Sequence, residues 1–226
     1  MDRTPRTPHE LYEQALAEGG LIRDPEQETV IARLDDLQRR LHEAGDAPAA
    51  GGWWMRFRRR KPAPVRGLYI WGDTGRGKTW LVDLFHEALP FEHKMRRHFH
   101  RFMASVHAEL AKLRGEADPL QTVADRLAAR ARLICFDEFF VSDIADAMLL
   151  GTLFEYLFER GVTLVATSNV PPDQLYRDGL QRARFLPAIT LIERHTEVVA
   201  MEGKIDYRLR ALERAELYHS PLDDGA

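Results

Sequence analysis

Between Gly72 and Thr79 the chain reads Gly72-Asp73-Thr74-Gly75-Arg76-Gly77-Lys78-Thr79, three spaced glycines followed by a lysine and a hydroxyl. That pattern suits one task. Glycines let backbone N–H groups turn inward around phosphates, a helix N-terminus adds its dipole, Lys78 reaches the β- and γ-phosphates, and the Thr79 hydroxyl ligates Mg²⁺. All eight residues are candidates for contact with a nucleoside triphosphate. The bland alternative is a glycine turn with an incidental lysine. An apolar run before the loop and a helical run after it count against that alternative.

Farther along, Leu133-Ile134-Cys135-Phe136-Asp137-Glu138 is an apolar strand ending in two carboxylates. Asp137 suits a place in the magnesium shell, and Glu138 suits orienting and deprotonating a water in line with the γ-phosphate. Acid pairs are common on surfaces, so the motif gains its meaning from the loop upstream. Thr163-Leu164-Val165-Ala166-Thr167-Ser168-Asn169 is a further buried strand with a polar end. Asn169 fits a sensor that hydrogen-bonds the water or the γ-phosphate, and standing before Pro171-Pro172 it also fits a plain turn. A phosphate loop, an acid pair and a polar residue on the next strand together indicate hydrolysis of ATP to ADP and phosphate.

The elements that must position these groups follow from periodicity. Apolar residues predict strands at Gly67–Trp71, Arg97–His100, Leu133–Phe136, Val162–Thr167 and Glu197–Ala200. Helical spacing predicts helices at Pro25–His42, Lys78–Ala88, Phe102–Leu113, Pro119–Ala129, Ser142–Phe158 and Leu186–Arg194. Strands alternating with helices specify an α/β fold, a central parallel sheet with helices on both faces and ligands at the strand C-termini. The chain divides into an N-terminal helical extension over 1–43, a linker over 44–64 and the phosphate-loop domain over 65–226.

Composition sets the outer limits. At 226 residues, 45% apolar and 30% charged, the chain suits one globular core with an appendage. A formal net charge of -3 gives no overall pull toward nucleic acid, so direct nucleic-acid binding is not expected. A single cysteine, Cys135, excludes an intrachain disulfide and fits a reducing compartment. No run has signal-peptide or membrane-spanning character, which leaves the cytoplasm as the default location. The linker carries Trp53-Trp54-Met55-Arg56-Phe57-Arg58-Arg59-Arg60-Lys61. That run suits peripheral contact with an anionic membrane or a partner protein, and equally a loop whose aromatics fold back on the domain. His93, His98, His100 and His107 lack a cysteine and a metal-ligand spacing, which favours packing or partner contact. On the expected strand, His98 and His100 share a face.

The order of Gly72 to Thr79, Phe136-Asp137-Glu138-Phe139-Phe140-Val141-Ser142-Asp143-Ile144, Ala166-Thr167-Ser168-Asn169 and Leu180-Gln181-Arg182-Ala183-Arg184-Phe185-Leu186-Pro187 resembles the AFG1-like AAA+ ATPases. His98-Phe99-His100-Arg101-Phe102-Met103 and Asp206-Tyr207-Arg208 extend the resemblance over nearly the whole chain. It implies a three-layer AAA+ P-loop sandwich using ATP and Mg²⁺, in the bacterial cytoplasm at the division septum, associating with the FtsZ ring and acting on it. It implies self-association in which an arginine of one subunit completes the neighbour's ATP site. Arg182 is the first choice for that finger, Arg184 the second, and Arg208 a further sensor. Relatives of this kind extend beyond the point corresponding to Ala226, so the C-terminal lid is expected to be short or missing. Two other functions share these motifs: a nucleotide-gated binding protein with negligible hydrolysis, and a helicase-loader-like AAA+ protein.

Overall fold

The computed structural model describes residues 6–19, 22–45 and 63–202. The Trp53–Lys61 run, Arg208 and the C-terminal residues on which the short or missing lid bears lie outside the described residues.

Five parallel strands form one sheet: β1 (Gly67–Gly72), β2 (Lys94–His98), β3 (Leu133–Asp137), β4 (Thr163–Ser168) and β5 (Thr196–Met201), in spatial order β2-β3-β4-β1-β5. Strands β1, β3 and β4 are almost continuously buried, as strands covered on both faces must be. Alternation divides their side chains between two cores. Leu68, Ile70, Leu133, Cys135 and Val165 pack under α1 (Pro8–Ala17), α2 (Pro25–Glu43) and α3 (Lys78–Ala88). Tyr69, Ile134, Phe136, Leu164 and Ala166 pack under α4 (Phe99–Lys112), α5 (Pro119–Arg130), α6 (Ile144–Glu159) and α7 (Leu186–His195). The result is the three-layer α/β sandwich that the alternating pattern predicts.

Helix α2 begins where Asp24 caps it, its carboxylate accepting from Glu26 N at 2.8 Å with Pro25 in the first turn. Val30, Ile31, Leu34, Leu37 and Leu41 then line one stripe and are buried. Helix α1 has no counterpart in the sequence expectations. Its signal is a capping box, Thr7 accepting from Glu10 N at 3.1 Å while Glu10 accepts from Thr7 N at 3.0 Å.

The expected strand Arg97–His100 needs correction. The strand is Lys94–His98 and α4 starts at Phe99, so His100 belongs to a helix and does not share a strand face with His98. The reason is helical spacing: Phe99, Phe102, Met103 and Val106 recur at i, i+3, i+4 and i+7 and are all buried. The two imidazoles still stack, with centroids 5.9 Å apart. His107 Nε2 lies 2.7 Å from the Asp146 carboxylate across α4 and α6.

Candidate nucleotide site

All strands run the same way, so β1, β3 and β4 end on one edge, and the sequence motifs converge there. The loop after β1 needs its glycines for distinct reasons. A Cβ on Gly72, at φ 149°, would stand 2.1 Å from the Met201 carbonyl oxygen of β5. Gly77 caps α3 in the left-handed region at φ 84°, and a Cβ there would stand 2.9 Å from Gln27 Nε2. Among the described residues no side chain caps the α3 N-terminus, which leaves its first N–H groups directed at the loop.

Lys78 is 7% exposed, and its ammonium donates to the carbonyls of Gly72 (2.6 Å) and Asp73 (2.8 Å) and to Asn169 Oδ1 (3.3 Å). This places the tips of β1 and β4 around one cation. A cavity of about 460 Å³ opens over them, lined by the loop from Thr74 to Thr79 and by Glu138, Thr167 and Asn169. That volume is ordinary for a small-molecule site. A cavity of about 650 Å³ lies along α2 between Thr7, Asp35 and His42 and contains none of these groups.

Asp137 stands two residues beyond Cys135 and so projects to the α3 side of the sheet. There it is buried and accepts two bonds from Arg96, Nε to Oδ2 at 2.9 Å and Nη2 to Oδ1 at 3.1 Å. The same guanidinium donates to the Thr79 carbonyl at 3.2 Å and forms an ion pair with Asp83. Arg96 thereby ties β2, β3 and the first turns of α3 together, a role absent from the sequence expectations. Thr79 and Asp137 offer hard oxygen donors of the kind Mg²⁺ takes, so the residues present fit that ion.

Glu138 breaks the strand. Its φ of 53° is in the left-handed region, a conformation costing a non-glycine residue about 1–3 kcal/mol that the surroundings must impose. They do so from both sides. Phe139 is fully buried, its ring 4.4 Å from that of Phe99, and its N–H donates to the Thr167 carbonyl at 2.7 Å. Glu138 N–H donates to the Thr167 hydroxyl at 3.3 Å, and Ser168 Oγ donates to the Phe139 carbonyl at 2.8 Å. The Glu138 side chain is exposed at the cavity, between buried Asp137 and buried Phe139.

Arg182 and Arg184 lie on a 3₁₀ turn, entered through Gln181 at φ 56°, and neither lines the cavity of its own chain. Arg182 Nη2 donates to the Asp173 carbonyl at 2.6 Å, whereas Arg184 is exposed. Cys135 is fully buried, and burial pushes its thiol up to about 12, away from reactive thiolate chemistry.

Residues 6–226 match the sequence model of the AFG1-like ATPases. The chain is 53% identical over 226 residues to cell division protein ZapE of Escherichia coli K12, covering 96% of this chain and 60% of that protein. It is 45% identical over 178 residues to lactation elevated protein 1 homolog B of Danio rerio, covering 74% of this chain and 35% of that protein. The chain thus spans 60% or less of the length of these curated relatives. Its fold is similar to AMPPCP-bound DnaA from Aquifex aeolicus, with a TM-score of 0.56 and 14% identity over 90% of this chain and 56% of that one. With a family model spanning almost all of it and the motifs gathered at one sheet edge, the chain belongs to the AFG1-like ATPase family.

Proposed function

We propose that this chain binds ATP in the cavity at the sheet edge and hydrolyses it to ADP and phosphate. The observation that carries the proposal is the convergence of Lys78, Glu138 and Asn169 on one glycine loop at the head of a helix, with Asp137 next to Glu138 at the end of β3. Residues Gly72, Asp73, Thr74, Gly75, Arg76, Gly77 and Thr79 supply the loop. Lys78 exchanges its loop carbonyls for the β- and γ-phosphate oxygens, a charge-assisted replacement of the same bonds. Thr79 and Asp137 would hold Mg²⁺, which when bound would neutralise charge on the phosphates. The Glu138 carboxylate takes a proton from water as the water oxygen bonds to the γ-phosphorus and the bond to the ADP oxygen breaks. Asn169 orients the water or the γ-phosphate.

An arginine from a second copy completes the site, stabilising charge on the transferred phosphoryl group. Arg182 reaches a neighbour only after leaving the Asp173 carbonyl, while the exposed Arg184 does so without breaking that bond. Family membership and the likeness to ZapE support a place in bacterial cell division. There the activity is directed at FtsZ filaments of the division ring, in the cytoplasm at the septum.

Steady-state ATP hydrolysis per subunit, measured against protein concentration, tests both parts. Activity per subunit is expected to rise with concentration, and Glu138→Gln to lower it by at least about a hundredfold. An unchanged rate in Glu138→Gln would overturn the assignment of the base. A rate per subunit independent of concentration would remove the arginine in trans.

A further inference from the structure

The loop that receives phosphate is held from outside by a residue nearly fifty positions earlier. Gln27 lies in the first turn of α2 and is 3% exposed. Its Nε2 donates to the Arg76 carbonyl at 3.1 Å, and its Oε1 accepts from the Tyr12 hydroxyl of α1 at 3.4 Å. The chemistry of the partners fixes the orientation of the amide, because a peptide carbonyl only accepts and the tyrosine has a proton to give. Tyr12 is itself fully buried, its ring 5.7 Å from that of Trp80 on α3. The Asp24 cap and Pro25 set where α2 begins, and so where Gln27 stands.

The peptide joining Arg76 to Gly77 is trans, and its carbonyl and N–H therefore point to opposite sides. With the carbonyl drawn toward α2, the Gly77 N–H faces away from α2, and Gly77 lines the nucleotide cavity. Gly77 also leaves the room that Gln27 occupies, since a Cβ there would meet the amide nitrogen. Gln27, Tyr12 and the glycine form one fitted contact between the N-terminal helices and the loop.

We infer that Gln27, braced by Tyr12, is a positioning residue for phosphate binding, fixing the peptide plane that aims the Gly77 N–H at the β-phosphate of a bound nucleotide. The N-terminal helices are then part of the nucleotide site. This inference rests on the proposed ATP site and adds to it a residue that touches neither nucleotide nor metal. A side chain that only filled space at this position would affect folding without preference for any phosphate.

The test measures affinity for ADP and for AMP, by competition against a fluorescent ADP analogue, in the 226-residue chain and in Gln27→Leu, Gln27→Glu and Tyr12→Phe. Circular dichroism at the assay temperature confirms the fold of each variant. ADP affinity is expected to fall about tenfold in both Gln27 variants, the loss of one oriented hydrogen bond, and about threefold in Tyr12→Phe. AMP affinity stays within about twofold, so the preference for ADP narrows. Equal losses for AMP and ADP, or an unchanged ADP affinity in folded variants, would overturn the inference. Should the Gln27 variants fail to fold, the ADP-to-AMP ratio of Tyr12→Phe decides on the same terms. An unmutated chain that binds neither nucleotide would instead overturn the ATP site itself, and this inference with it.

Discussion

Replacing Arg96 with methionine removes a guanidinium while keeping an unbranched stem of similar girth. Its two bonds to Asp137 are charge-assisted, and the Asp137 side chain is 6% exposed, so the carboxylate cannot recover the lost partner from water. Breaking a buried ion pair from one side costs about 3–5 kcal/mol, because the other charge stays behind. Arg96 is 17% exposed, which places the cost at the lower end, and its pair with the half-exposed Asp83 adds less than about 1 kcal/mol. The expected destabilisation is about 3 kcal/mol, or about 6–12 °C in Tm for a chain of this size. Urea unfolding at pH 7 measures it, and Asp137→Asn alone and with Arg96→Met closes a double-mutant cycle. A coupling of about 2 kcal/mol is expected, since the neutral amide no longer needs the cation. Additivity within about 0.5 kcal/mol would refute the reasoning and make Arg96 a packing residue whose charge is incidental.

Two further outcomes follow from particular groups. Burial, with a smaller contribution from the charge of Lys94, lowers the pKa of His86, and burial with Arg194 beside it lowers that of His195. A lowered folded-state pKa means the unfolded chain takes up protons first as pH falls. The stability from these two groups is therefore complete above about pH 6.5 and is lost toward acid, by up to about 1.4 kcal/mol per pH unit for each. Chemical denaturation from pH 7.5 to pH 5 should show that slope, shallower in His86→Leu, and a pH-independent midpoint would contradict it. Gly72→Ala is expected to force β5 from β1, since the new Cβ meets backbone at Met201 with no side chain able to give way. Its cost should exceed about 2 kcal/mol, with hydrogen-exchange protection lost first in Thr196–Met201, and a Tm within about 2 °C of the parent would sink the argument.

Local signals carried far in this chain. Helix α3 spans Lys78–Ala88 as its spacing predicts, and the strands carrying the loop, the acid pair and Asn169 lie within about two residues of their expected bounds. Those expectations rest on periodicity and glycine chemistry, which act over a few residues. Helix α1 was legible in its capping box, yet its amphipathic stripe is short, with only Pro8, Leu11 and Tyr12 buried. At the end of β2 two periods overlap: His98 and His100 alternate like a strand, while Phe99, Phe102 and Met103 repeat like a helix. The helix prevails because its large apolar side chains reach the core, whereas His100 stays exposed.

The contacts that hold the site in shape were not legible, for a definite reason. Arg96 meets Asp137 because β2 pairs with β3 in the register Arg96 to Cys135, which places the arginine and the aspartate on one face two residues apart. A slip of one residue would send the guanidinium to the opposite core. Gln27 meets Arg76 because α2 packs on α3, and nothing near Gln27 in the chain mentions the loop. Residues that react with the nucleotide belong to short motifs, since phosphate and metal impose one local geometry on every site that binds them. Those that brace the motifs belong to the packing of one particular chain. Under this division, Lys78→Ala should abolish nucleotide binding, while Arg96→Met costs stability and Gln27→Leu selectively weakens ADP binding.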